Sequence, residues 1–106
     1  MKDERRLRYV PETGEISIGG EVLKLPKKER ELLVYLATHP DIVHTREALI
    51  EAVWGYDSLG QSSTLTVHIN RLRKKLENDP ACPEIIETVW GRGYRVRSDR
   101  VSILSN

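Results

Sequence analysis

The sequence predicts an α+β domain in which a small N-terminal sheet, three helices and a terminal β-hairpin follow one another along the chain. Three observations carry this. Apolar and polar residues alternate in LRYV, EISI and EVLKL, apolar residues recur at helical spacing in three stretches between Lys27 and Leu76, and two β-rich runs flank a glycine pair in IIETVWGRGYRVR. At 106 residues the chain fits one domain with a modest core and little room for a deep cleft.

Each element has its own signal. LRYV alternates, PETG gives a turn, EISI alternates again, Gly19 and Gly20 offer a two-residue hairpin connection, and EVLKL completes an antiparallel meander. Such short hairpins bury too little to stand alone, so the meander needs cover. Pro26 introduces KKERELLVYLATH, whose Leu32, Leu33, Leu36 and Ala37 form one helical face ending at His39 and Pro40. After the linker DIVH, Thr45 is an N-cap with Glu47 in the first turn; Leu49, Ile50, Val53 and Trp54 line the second helix and Gly55 stops it. The loop Gly55 to Ser62 ends on a hydroxyl residue suited to capping the third helix, residues 63–77, in which Leu65, Ile69, Leu72 and Leu76 share one stripe.

Asn78, Asp79, Pro80 and Pro83 close that helix, and a hairpin follows with Arg92 at its tip between Gly91 and Gly93. A helix, a linking loop, a second helix with a basic outer face and a hairpin beside it is the plan of a winged helix-turn-helix. The domain is expected over residues 7–97, with 1–6 a linker or tail and 98–106 a C-terminal tail.

Composition narrows the function. Net charge is +1, but residues 1–62 hold nine Lys/Arg against eleven Asp/Glu while residues 63–106 hold eight against five, so positive charge gathers in the second half, as on a surface that meets phosphate. No apolar run approaches the ~18 residues of a membrane span and no signal-peptide pattern follows MKDERR, so a cytoplasmic protein with no membrane partner is expected. The single Cys82 lacks a neighbouring base and reads as a bystander thiol. His39 and His44 have no third ligand, and no nucleophile sits with a base, so neither a metal, a cofactor nor catalysis is expected.

The third helix carries the chemistry on the side opposite its apolar stripe. Arg71 lies mid-face, where a guanidinium can make a bidentate contact to guanine; Val67, one turn earlier, can pack on a thymine methyl or stand as an indifferent surface valine. His68, Asn70 and Lys74 flank this pair within reach of phosphates or base edges, with packing on the hairpin as the other role open to His68. Thr64 adds a hydroxyl in the first turn. Arg73 points nearer the buried side but has a stem long enough to reach phosphate, and Lys75 reads as a solvated charge. Between its glycines, Arg92 suits a narrow, negative minor groove.

The segments TREALIEAVWG, TLTVHINRLRKKLE and IIETVWGRGYRV closely resemble the winged-helix effector domain of OmpR/PhoB-type bacterial response regulators, from about Leu7 to Val96. The resemblance implies an N-terminal four-stranded antiparallel sheet and sequence-specific binding of double-stranded DNA in two-component transcription control. It also implies phosphate contacts from Thr88 and Tyr94 in the hairpin and from Thr45, Arg46 and Trp54 in the second helix, although Trp54 and Trp90 suit core packing equally. Tyr56, Asp57 and Leu59 would be handles for RNA polymerase, the loop serving equally as a mere connector, and a head-to-tail dimer on direct repeats would be the bound form. A receiver domain, addressed by a sensor kinase, does not fit before Leu7, so an excised effector domain is expected, with a naturally receiverless protein as the other reading. Relatives often carry Arg and Asp where this chain has Ser63 and Thr66, and some carry Arg at Trp90. The competing reading is a winged helix used as a protein-interaction module for polymerase or another regulator, motivated by the loop GYDSLGQS.

Overall fold

The computed structural model describes residues 5–55 and 62–104. Strands β1 (Leu7–Val10), β2 (Glu15–Ile18) and β3 (Glu21–Val22) form the expected meander, followed by helices α1 (Lys27–Thr38), α2 (Arg46–Trp54) and α3 (Ser62–Leu76) and the hairpin β4 (Ile86–Val89) and β5 (Gly93–Val96). A further strand, β6 (Val101–Ile103), follows the hairpin. The architecture is the α+β winged helix that the periodicities predict.

The sheet departs from expectation in its fourth strand. Its order is β3-β2-β1-β6, and β6 pairs parallel to β1, Leu7 opposite Val101 and Tyr9 opposite Ile103. The N-terminal segment therefore supplies three strands of a mixed sheet rather than four antiparallel ones, and the stretch expected as a C-terminal tail contains a paired strand at Val101–Ile103. The physical reason is the open edge of β1, whose backbone groups need partners. Val101–Ile103 lies alongside, with Leu104 N–H donating to the Tyr9 carbonyl at 2.8 Å and Arg100 donating to the Arg5 carbonyl. β3 is shorter than EVLKL suggests because Leu23 and Leu25 turn into the core before Pro26 starts α1.

The core lies between the sheet and the helices. Leu7, Ile16 and Ile18 meet Leu32, Leu33, Leu36 and Ala37 of α1, Leu49, Ile50 and Val53 of α2, and Leu65, Ile69, Leu72 and Leu76 of α3. Every residue of the expected α3 stripe is at most 1% exposed. Truncating one such leucine to alanine costs about 2–5 kcal/mol, so the rotation of α3 about its axis is strongly fixed. Thr45 caps α2 as expected, its Oγ1 accepting from Ala48 N–H at 3.0 Å, and Gly55 at φ 99° ends it. Lys75, expected to be merely solvated, instead pairs at 2.8 Å with Glu29, whose side chain is 3% exposed, and so ties α3 to α1. A carboxylate buried this deeply is costly without its partner.

Two further contacts attach the hairpin. Glu77, buried at the end of α3, accepts from the backbone N–H groups of Glu84, Ile85 and Ile86 at 2.7–3.1 Å and so anchors the start of β4. On the other strand His44 and Tyr94 form a reciprocal backbone bridge, His44 N–H to Tyr94 carbonyl at 2.8 Å and Tyr94 N–H to His44 carbonyl at 3.0 Å. Gly93 permits it, because a Cβ there would lie 1.9 Å from the His44 carbonyl oxygen. Gly91, also at positive φ, faces open space. Gly93→Ala should therefore lower stability by about 3 kcal/mol or more and Gly91→Ala by about 1–2 kcal/mol, read by thermal or denaturant unfolding.

Asp41, at φ 66°, sits where the α1–α2 linker meets the end of the hairpin, and its Oδ1 accepts from Ser98 N–H at 2.9 Å. The Ser98 hydroxyl and N–H hold its carboxyl below the ordinary value of 3.8, with Arg95 and Arg97 adding to the effect. A depressed folded-state pKa stabilises above the unfolded value and loses that contribution as pH falls through the folded one. The difference in melting temperature between the wild type and Asp41→Asn should accordingly be full above pH ~4 and close in more acidic buffer.

Candidate nucleic-acid interface

The buried stripe of α3 turns its other side outward. Val67 is 43% exposed, and Asn70, Arg71 and Lys74 are exposed with it at the i, i+3, i+4, i+7 positions of one face. An apolar group, an amide, a guanidinium and an ammonium are thus presented together, the mixture that reads base edges and holds phosphates. Thr64 is half-buried, and its carbonyl accepts from His68 Nδ1 at 2.8 Å. His68 lies edge-on to Trp54 at 4.9 Å between ring centroids. The histidine thus packs on α2 rather than on the hairpin.

Three residues expected at phosphates hold the elements together in the unbound domain. Arg46 donates to Thr66 Oγ1 at 2.7 Å and to the Tyr94 hydroxyl at 3.1 Å, linking α2, α3 and β5. Tyr94 is only 7% exposed. Arg73 donates to the Ile86 carbonyl at 2.8 Å and to Thr88 Oγ1 at 2.8 Å while its guanidinium lies 5.6 Å from the centre of the Tyr94 ring. Burial pushes the Arg73 pKa down, and Tyr94 and Glu77 oppose that shift. Thr88 is half-buried, as is Trp54, which packs against the core; Thr45 stays exposed with its oxygen engaged as the cap.

The hairpin tip differs from expectation in one respect. Val89 pairs with Gly93, so the turn is Trp90-Gly91-Arg92, closed by Arg92 N–H donating to the Val89 carbonyl at 2.9 Å, with Gly91 at φ 77° in the third position of the four-residue turn. Arg92 is exposed as expected, but Trp90, for which core packing was equally open, is 88% exposed. Between this tip and the helices runs an open groove of 630 Å³, walled by Thr45, Arg46 and Glu47, by Thr66, Asn70 and Arg73, and by the hairpin from Thr88 to Tyr94. Sequence reasoning missed Trp90 and Glu47 as groove residues. The first was signalled by an aromatic next to the glycine of a turn, which points it away from the sheet. Tyr56, Asp57 and Leu59 lie outside the described residues, and Ser62, expected to precede and cap α3, is instead its first residue.

Residues 20–96 match the family model described as "Transcriptional regulatory protein, C terminal". The chain belongs to that family. The sensory transduction protein RegX3 of Mycobacterium leprae is 46% identical over 92 residues, 87% of this chain and 46% of the relative. Among solved structures, the Klebsiella pneumoniae RstA DNA-binding domain in complex with the RstA box is similar at a TM-score of 0.72 and 34% identity, over 83% of this chain and 87% of that one. The response regulator DrrB of Thermotoga maritima, an OmpR/PhoB homologue, is similar at 0.73 and 36%, over 81% of this chain and 39% of that one. The effector domain is thus of OmpR/PhoB type, a class of transcription regulators and not of enzymes. The chain spans less than half the length of the curated relatives it matches. Among the described residues, no helix is long and apolar enough to cross a membrane and no group of three or more His, Cys, Asp or Glu is placed to hold a metal ion.

The division between exposed and engaged arginines has a measurable consequence. Arg73→Ala should lower the melting temperature by the equivalent of about 1–3 kcal/mol, since it leaves the Ile86 carbonyl and the hairpin without their donor. Arg71→Ala should leave it within about 0.5 kcal/mol of wild type.

Proposed function

We propose that this domain binds double-stranded DNA sequence-specifically, α3 entering the major groove and the hairpin reaching the adjacent minor groove, within a two-component response regulator that controls transcription. The observation that carries this reading is the outer face of α3, where Val67, Asn70, Arg71 and Lys74 project opposite a fully buried stripe and beside a tip bearing Arg92. Arg71 is the principal base reader and Val67 its apolar neighbour; Asn70 and Lys74 serve base edge or phosphate. Arg92 supplies the minor-groove cation. Thr45, Thr64 and Thr88 lie where hydroxyls can meet phosphates. Arg46, Arg73, Tyr94, Trp54 and His68 act first by fixing the angle between helix and hairpin, and the two arginines add positive potential to the groove.

The similarity to the RstA domain, whose structure is a complex with the RstA box, supports the same reading. Thr66, where relatives often have Asp, keeps the Arg46 contact as a guanidinium-to-hydroxyl hydrogen bond in place of an ion pair, and Ser63 replaces a cation, so the preferred sequence differs from that of relatives carrying both charges. The proposal extends to a wider setting, which family membership supports: a cytoplasmic regulator whose receiver domain takes phosphate from a sensor kinase, a head-to-tail pair on direct repeats, and polymerase contact through the loop that contains Tyr56, Asp57 and Leu59.

Selection of duplexes from a random pool, followed by titration over a range of salt, tests the core of this. A selected motif and a steep salt dependence are expected; affinity that is flat in salt, with no motif, would favour the protein-interaction reading. Arg71→Ala should lose about 1–3 kcal/mol of discrimination at one or two positions of the motif. Arg92→Ala should weaken binding to all duplexes and lower the salt slope by about 1.

A further inference from the structure

Trp90 is the most exposed large apolar side chain among the described residues, at 88%, and it stands on a rigid turn. Tryptophan is ordinarily well covered in folded domains, so an indole held in water at a hairpin tip marks a contact surface. Its setting narrows the partner. The turn that displays it is closed by the Arg92 to Val89 hydrogen bond, which places Trp90 two residues from the exposed guanidinium of Arg92. Both side chains line the groove shared with Thr45, Arg46 and Asn70. Charge narrows it further: Val89 and Tyr94 are the groove's other apolar side chains, and three arginines, Arg46, Arg73 and Arg92, line it against the single carboxylate of Glu47, so the spot favours an anion over a neutral or basic protein surface. A polyanion with a flat apolar component fits better, and the sugar–phosphate wall of a DNA groove is such a surface.

Building on the DNA-binding reading above, we propose that Trp90 packs on the deoxyribose wall of the groove that Arg92 enters, supplying an apolar contact that adds to affinity without neutralising phosphate. The indole contributes buried area, and its Nε1–H is available to a phosphate oxygen. Electrostatic contacts release counterions and weaken with salt, whereas burial of an aromatic face does not. The two residues of the tip are therefore separable by salt: Arg92 sets part of the slope and Trp90 part of the intercept.

The test is a salt titration of wild type, Trp90→Ala, Trp90→Phe and Arg92→Ala on one duplex selected with the wild-type domain, each variant first shown by thermal unfolding to keep its fold. Trp90→Ala is expected to weaken binding about tenfold at every salt concentration with the slope unchanged, and Trp90→Phe to recover most of that loss. Acrylamide quenching gives an independent readout: with wild type, a large share of tryptophan emission should become protected on adding duplex, and in Trp90→Ala the remaining emission, from half-buried Trp54, should change little. Unchanged affinity of Trp90→Ala, or a loss that appears as a reduced slope, would overturn the proposal. If the wild-type domain selects no duplex at all, it is the DNA-binding reading that fails, and Trp90 then belongs to a protein contact.

Discussion

The reciprocal backbone bridge between His44 and Tyr94 fixes how close the hairpin lies to the helices, and the geometry of the proposed interface depends on that distance. It works only because Gly93 has no side chain. Around it, Arg46 and Arg73 bond to both sides of the junction, and Glu77 gathers three backbone N–H groups at the start of β4. Each of these is a polar contact at an edge of the core, where an unmade hydrogen bond costs more than a made one gains. The hairpin is thereby attached along both of its strands and not only through the loop that leads to it.

Against this frame α3 needs only one further constraint, its rotation, and the fully buried leucines and isoleucine provide it. A turn of 100° about the helix axis would carry Leu72 into the exposed place of Arg71 and Arg73 into the buried place of Leu72, an outcome that loses both apolar burial and charge hydration. The same residues that stabilise the fold thus aim the reading face. Specificity can then vary freely on the outer positions, since exchanging Ser63, Val67 or Asn70 disturbs no core contact.

Much of this was legible in the sequence. The three helices, the cap at Thr45, the stop at Gly55 and every core position of α3 follow from periodicity and capping chemistry, which are local properties. The pairings that the sequence does not show join residues of different elements. β6 is three residues long and gains its strand character from the open edge of β1, whose paired residues lie 94 positions away along the chain. Lys75 looks like any solvated lysine until α1 brings Glu29 beside it. Arg73 and His68 were candidates for DNA and prove to be engaged by the hairpin and by Trp54, because their partners come from other elements. Trp90 was ambiguous for the opposite reason: composition says bury it, and only the turn geometry holds it out.

The central claim is that one composite surface, the outer face of α3 together with the hairpin tip, meets DNA while the N-terminal sheet does not. Titrating a selected duplex into the isotopically labelled domain and following backbone amide shifts by NMR tests this most directly. The account predicts the largest shifts at Val67, Asn70, Arg71 and Lys74 and at Trp90 to Arg92, with β1, β2 and β3 nearly unmoved. Shifts concentrated on the sheet or on the exposed side of α1, with α3 unchanged, would contradict it.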